Sequence, residues 1–346
     1  MLPNWADDID DVTGQIRISH GETINTPNAG GVGDSVHIGI IDSAWKAPPN
    51  IMEQFDIRGG PENAFIDPNQ ESTVGHCSHV FAWTSAFCPG ATFSLYQAVD
   101  EDKSLPLDAF SEAVTKAIED QVDIINISAG DPWRGPVNAN PAVQEVKRAI
   151  DEDITVVAAA GNYDPEEQDT RPPVHCPAAH DPVIAVGAME VNCPIKPGKE
   201  PADQGGRPYY CIPEKRDDLL EVRPTENAFC GQQGCVNGES CIRNQNESEW
   251  NYNPLQTDNK PDIFAPMHRP IKDANGDHLL KVGTSFAAPI VTASLGCIYS
   301  ELHDMGQELP RPHEARDAVI NGGFPIGEGP HNKYDAMATR GELGIL

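Results

Sequence analysis

Three short segments hold side chains that together can perform acyl transfer. Ile40-Ile41-Asp42-Ser43 ends an apolar run in a carboxylate, Gly75-His76-Cys77-Ser78-His79-Val80 supplies an imidazole, and Val282-Gly283-Thr284-Ser285-Phe286-Ala287-Ala288-Pro289 supplies a hydroxyl. A serine hydroxyl is a weak nucleophile at its own pKa and needs an adjacent base. A histidine can take that proton and later return it to a leaving group, while a buried aspartate fixes the imidazole tautomer and stabilises the imidazolium. Asp42, His76 and Ser285 are therefore the candidate catalytic residues. Asp42 alone also reads as a capping or turn residue, but its place at the end of an apolar run, ahead of His76 and Ser285, favours chemistry. His79, three residues beyond His76 on an expected helix, reads as structural. Gly283 permits a tight entry into a helix, so Ser285 falls at a helix N-terminus, where unpaired N–H groups and the dipole favour negative charge.

The elements that must position these groups alternate between strand and helix. Apolar, β-branched runs at 36–42, 92–99, 123–127, 155–160 and 183–188 predict buried strands. Residues 107–121 have helical spacing, with Phe110, Val114, Ala117 and Ile118 on one face and Asp108 as the expected N-cap. Residues 141–151 repeat the pattern with Val143, Val146 and Ile150, and 286–302 form a long apolar helix. Alternation of this kind predicts a three-layer α/β fold: a mostly parallel sheet with helices on both faces. The catalytic candidates then fall at C-terminal strand ends and helix N-termini. From about 192 to 257 the chain turns polar and rich in Gly, Pro and Asn, and carries five cysteines. It reads as an insertion into a single 1–346 domain.

The seven residues Gly283 to Pro289 reproduce Gly-Thr-Ser-x-Ala-x-Pro, the serine signature of the subtilisin-like serine peptidases, and the order Asp, His, Ser is also that family's. The resemblance covers roughly residues 20–192 and 258–340. It implies the subtilisin-like α/β fold and gives a role to Val156-Val157-Ala158-Ala159-Ala160-Gly161-Asn162, which looks like the family's oxyanion-hole block. By that match Asn162 donates its amide to the tetrahedral oxyanion, beside the Ser285 backbone N–H. The resemblance further implies that Ser128, Ala129 and Gly130 form one wall of the pocket for the residue before the scissile bond, and Ala159, Ala160 and Gly161 the other. Cys176-Pro177-Ala178 and Asp262-Ile263-Phe264-Ala265-Pro266 also follow the family pattern. Two departures stand out: Ala44 and Trp45 follow Ser43 where the family has a small residue and glycine, and Cys77-Ser78 replaces Gly-Thr beside His76. A thiol next to the base raises redox or mercurial sensitivity, against the simpler reading of a buried inert thiol. His175 falls near the floor of the family's specificity pocket, where a protonated imidazole would favour an acidic side chain; a surface-loop histidine is the simpler reading. The acidic stretch at 164–169 pulls the other way, so no side-chain preference is read. Calcium is a family habit, and no loop here matches such a site; catalysis itself needs no cofactor.

Composition bounds the partners. The 346 residues are 39% hydrophobic, enough for a globular core. The formal net charge of −29 repels phosphate backbones, so nucleic acid is excluded as a partner. No apolar run is read as reaching the roughly 18 residues of a membrane span. The start of the chain lacks the basic and apolar regions of a leader, which points to the cytoplasm. Nine cysteines leave at least one unpaired. Six of them (Cys176, Cys193, Cys211, Cys230, Cys235 and Cys241) are spaced unlike zinc knuckles and are expected to staple the insertion with disulfides, which would instead argue for a secreted, mature form. Cys88 and Cys297 are expected on two helices that pack together. The expected activity is that of a monomeric serine endopeptidase on a peptide or protein substrate. The alternatives are a precursor-peptide maturation protease or macrocyclase of the same fold, and a catalytically dead binding module.

Overall fold

The computed structural model describes residues 33–43, 57–58, 76–99, 105–162, 173–189, 260–266, 269–272, 278–281, 283–325 and 332–345. The expected insertion, the acidic stretch at 164–169, and Ala44 and Trp45 lie outside the described residues. The strands are β1 (His37–Asp42), β2 (Ile57–Arg58), β3 (Thr92–Gln97), β4 (Ile124–Ile127), β5 (Thr155–Ala159), β6 (Ile184–Met189), β7 (Ile263–Pro266), β8 (Arg269–Lys272), β9 (His278–Lys281), β10 (Phe324–Pro325) and β11 (Asn332–Lys333). The α-helices are α1 (His76–Phe87), α2 (Leu107–Glu119), α3 (Pro141–Asp151), α4 (Thr284–Asp304), α5 (Pro312–Asn321) and α6 (Ala336–Glu342). One sheet runs in the order β10-β11-β7-β6-β5-β4-β1-β3-β2, parallel throughout except for the antiparallel β10–β11 edge. A separate antiparallel ribbon pairs β8 with β9.

Side chains alternate across a strand, so a sheet covered on both faces needs unbroken apolar strands. In β5, Val157 and Ala159 pack on the face covered by α1 and α4 with Trp83, Phe286 and Ile290. Val156 and Ala158 pack on the opposite face with Phe110 and Val114 of α2 and Val146 of α3. That is the three-layer arrangement expected from the sequence. Strand ends differ by a residue or two where backbone groups turn to other tasks. The N–H groups of Ala98 and Val99 both donate to the Asp42 carbonyl, at 2.8 and 3.2 Å. Asp123 stands before β4, where its carboxylate accepts from His37 N–H at 2.7 Å.

Helix entry corrects one expectation. Asn140 caps α3 by accepting from Val143 N–H at 3.2 Å, but Asp108 does not cap α2. Pro106, extended at φ −56° and ψ 127°, is the N-cap, and Asp108 lies in the first turn. There its charge faces the positive end of the helix dipole.

α4 is 21 residues long and nearly all its side chains are buried. Among the described residues it alone is long and apolar enough to cross a membrane, a length that no apolar run was read as reaching; 83% of the apolar window is buried inside the protein. Cys297 on α4 and Cys88 just beyond α1 meet, as expected, with the two thiols hydrogen-bonded to each other.

A buried charge cluster ties α5 to the sheet. Asp262 accepts from Lys260 Nζ at 2.6 Å, from Arg316 at 2.7 and 3.0 Å, and from Ala185 N–H at 2.8 Å. Burial pushes the Lys260 ammonium down to a pKa of about 8. Removing one member of such a set strands the others. Asp262→Asn is therefore expected to cost about 3–5 kcal/mol, read as a lower urea midpoint at unchanged m-value. A shift below about 1 kcal/mol would show that the cluster is not stabilising as a unit.

Candidate active site

The parallel sheet delivers the candidate residues to one edge. Ile41 is level with Ile127, and Ile127 with Ala158, across β1, β4 and β5. The residues that follow, Asp42, Ser128 and Ala159, therefore lie on one rung at the C-terminal edge, where ligands of open α/β sheets are bound. α1 begins at this edge with His76 and α4 with Thr284 and Ser285.

Asp42 is 1% exposed and its carboxylate faces His76, whose Nδ1 lies 2.8 Å from Oδ1 and 3.0 Å from Oδ2. Ser43 N–H also donates to Oδ1, at 2.6 Å. A carboxylate only accepts, so His76 carries its proton on Nδ1 and presents Nε2 as the basic nitrogen. The His76 side chain is 37% exposed, so the base stands open where the acid is sealed. Its ring packs on Phe286, the neighbour of Ser285, at 5.3 Å between centroids.

Ser285 enters through Gly283, whose φ of +145° disfavours any L side chain. A Cβ built on Gly283 would lie 3.6 Å from Ser285 Oγ and 3.3 and 3.5 Å from the Asn162 amide atoms. The missing side chain is thus what lets the Ser285 hydroxyl and the Asn162 amide share one small space. The orientation of Asn162 follows from its partners. Thr284 N–H can only donate, and it lies 3.0 Å from Oδ1, with Thr284 Oγ1 at 3.2 Å. Oδ1 is held as an acceptor, leaving Nδ2 to donate outward at the exposed end of the residue. Asn162→Ala is expected to lower kcat by about a hundred- to a thousandfold with little change in KM, a range that is subtilisin's own. An unchanged kcat would remove Asn162 from the reaction.

Two supports were not legible in the sequence. Thr284 bridges Gly161 as well as Asn162: Gly161 N–H donates to its Oγ1 at 3.2 Å, and Oγ1 lies 3.1 Å from Gly161 O. A buried chain also runs from Thr292 Oγ1 to Asn126 Oδ1 (2.9 Å), from Asn126 Nδ2 to Ser128 Oγ (2.8 Å), and from Ser128 Oγ to Ser285 O (3.0 Å). Polar residues on the apolar strand β4 and inside the apolar helix α4 are the signal that could have found it.

Of the six expected cleft residues, Ala129 and Gly130 are half-buried, while Ser128, Ala159 and Gly161 are buried with the Ser128 hydroxyl committed to Ser285. Ala160 turns its side chain into the core. Its side chain is fully buried, its N–H donates to Val186 O and its carbonyl accepts from His175 N–H. His175 is not a surface-loop residue: its ring lies between Gly130 and Gly161, and burial holds its pKa below the ordinary histidine value.

Cys77 is buried, and burial first, then the Asp42 carboxylate, push its thiol well above the usual range. The thiolate is the reactive form, so iodoacetamide is expected to leave Cys77 unmodified in the native protein and to label it in urea. Labelling of Cys77 in the folded protein would restore the sensitive-thiol reading. The staple expectation needs a correction at Cys176, which is buried with a free thiol; the other five cysteines lie outside the described residues. Among the described residues no group of three or more His, Cys, Asp or Glu side chains is arranged to hold a metal ion.

Comparison with family profiles matches residues 64–327 to the one described as the subtilase family. The chain belongs to the subtilase family. The match takes in His76, Asn162 and Ser285 and begins after Asp42. The major intracellular serine protease of Bacillus subtilis (strain 168) is 28% identical over 177 residues, covering 46% of this chain and 52% of that protein. The subtilase chain thus spans about half the length of the curated relatives it matches. A lanthipeptide protease structure covers 97% of each chain with a TM-score of 0.59 at 16% identity. The patellamide maturation protease PatA covers 89% of this subtilase and 97% of its own chain, with a TM-score of 0.55 at 19% identity. At these identities the likeness is one of fold.

Proposed function

We propose that this subtilase is a serine endopeptidase acting on peptide or protein substrates as a monomer. The observation that carries the reading is convergence: the Asp42–His76 pair, the Ser285 hydroxyl and the Asn162 amide meet at one sheet edge. His76 Nε2 takes the proton of Ser285 Oγ as the oxygen attacks the substrate carbonyl. The oxyanion forms beside Asn162 Nδ2 and the N-terminus of α4, both donors to developing negative charge. The protonated His76 gives its proton to the leaving amine, and water, activated by the same imidazole, releases the acyl group. The triad supplies nucleophile and base, so the reading requires no cofactor; the net charge argues against nucleic acid, and burial of 83% of the apolar window of α4 inside the protein argues against a membrane partner.

A fluorophosphonate probe tests this reading. Wild type is expected to be labelled on Ser285 and Ser285→Ala not at all; an unlabelled wild type would mean a binding module with a dead site. A second reading is favoured by the fold neighbours, which are proteases named for maturation of prenylagaramide and patellamide and a protease of lanthipeptides. On that reading the substrate is a precursor peptide, and a peptide amine can replace water at the acyl-enzyme. Product masses separate the two outcomes: hydrolysis adds 18 Da relative to a macrocycle, an increment fixed by the water consumed.

A further inference from the structure

α1 and α4 lie side by side and touch at two levels. At the catalytic edge the His76 ring packs on Phe286. Further along, Cys297 Sγ donates to the Phe87 carbonyl at 3.4 Å and is hydrogen-bonded to the Cys88 thiol. Cys88 follows His76 by twelve residues, and Cys297 follows Ser285 by twelve. At 1.5 Å per helical residue the two thiols stand about 18 Å from the site, level with each other. Cys88 is fully buried and Cys297 half-buried, and neither is in a disulfide. Two glycines make room for the inner sulfur. A methyl group on Gly33 would lie 2.3 Å from Cys88 Sγ, and one on Gly296, next to Cys297 in α4, would lie 3.3 Å from it.

The hydrogen bonds sort the two thiols into different roles. A thiol has one proton to donate. Cys297 gives its own to Phe87, so Cys88 is the donor in the S–H···S contact. That bond first, and burial second, raise the Cys88 thiol well above the usual range. Cys88 is thus a buried, protonated sulfur facing a partner that is partly exposed. The thiolate is the form that attacks a disulfide, and access decides which thiol is reached. Cys297 is placed to meet a reagent, and Cys88 to complete the exchange behind it.

We propose that Cys88 and Cys297 form a reversible dithiol–disulfide site, which a small-molecule disulfide oxidises to a cross-link between α1 and α4 at the level remote from His76 and Ser285. The Cys297 thiolate attacks one sulfur of the reagent, forms a mixed disulfide with it and expels the first thiolate. The Cys88 sulfur then attacks Cys297 Sγ, loses its proton to solvent and expels the second. The two protein thiols give up two electrons and two protons, and the reagent leaves as two thiols. The bridge closes a loop of about two hundred residues, and a cross-link over so long a loop strongly restricts the unfolded chain. Oxidation therefore locks together the two helices that carry base and nucleophile.

The test treats the folded protein with oxidised glutathione, blocks the remaining thiols with N-ethylmaleimide in mildly acidic urea, and maps the cysteines by mass after digestion without reductant. The expected product is a Cys88–Cys297 disulfide with no glutathione on either residue. Its urea midpoint is expected to lie about 1 M above that of the reduced protein and to return on addition of dithiothreitol. Cys297→Ala is expected to show no such shift; a shift of wild-type size would assign the gain to other cysteines and overturn the proposal. Where that variant does not fold, the wild-type map and midpoint decide alone. Glutathione retained on Cys297, maleimide on both thiols, or a bridge that forms only in urea above the midpoint would each overturn the proposal. None of these readouts depends on peptidase activity.

Discussion

Replacing Ser285 by alanine is expected to lower kcat by about a millionfold, the scale measured for the serine of subtilisin itself. The loss is total for the covalent route because no other hydroxyl stands at the start of α4 in reach of the same imidazole: Thr284 Oγ1 is committed to Gly161 and Asn162. His76→Ala is expected to cost about as much, and the double variant no more than either single one, because base and nucleophile act as a unit. Stopped peptide hydrolysis, followed to long times at high enzyme concentration, measures all three. Additive losses would mean that Ser285 and His76 serve separate steps, and the acyl-enzyme scheme would fail. The Ser285→Ala protein should unfold at the wild-type urea concentration, since removing one oxygen beside Gly283 strips no packing from α4.

Asp42→Asn should lower kcat by about ten-thousandfold, the loss the same exchange causes in another Ser-His-Asp triad. Here the cause can be stated atom by atom. Asp42 Oδ1 accepts from both Ser43 N–H and His76 Nδ1. An amide that keeps its oxygen at the Oδ1 position puts an NH2 group where Oδ2 stood, 3.0 Å from His76 Nδ1, so that a donor faces the Nδ1–H that the second carboxylate oxygen had accepted. The imidazole must answer with a bare Nδ1, which moves the proton to the nitrogen that faces the nucleophile. The site then holds its shape and has the wrong tautomer. KM and the urea midpoint are expected to move little while kcat collapses. A matching fall in stability would instead assign Asp42 a structural role, that of terminating β1 and accepting from Ser43.

How much of this was legible follows from which residues report on themselves. β1, β4, β5 and β6 were readable because strands covered on both faces leave an unbroken apolar run. The site was readable because Gly283 to Pro289 is one contiguous segment, and Asn162 follows an equally contiguous one. What stayed hidden depends on pairs far apart in sequence. Asp262 meets Arg316 across 54 positions, and Asn126 meets Thr292 across 166. No local pattern joins them. Asp108 was misread because capping was judged by residue type, whereas the extended Pro106 had already set where α2 begins. His175 was misread because a loop has no periodicity to show which way its side chain turns. Ala160 was placed at the cleft by the resemblance alone, and its side chain packs with Val156 and Ala158 on the face covered by α2 and α3.

The burial of α4 has a consequence for how the protein can fail. Ser285 is not mounted on a loop that can melt by itself; it begins the helix around which one whole face of the sheet is packed. Amide protons in such an element exchange with solvent only when the molecule opens as a whole. Loss of probe labelling and loss of tertiary structure should therefore fall on a single denaturation curve, with no range of urea in which a folded chain has lost its nucleophile.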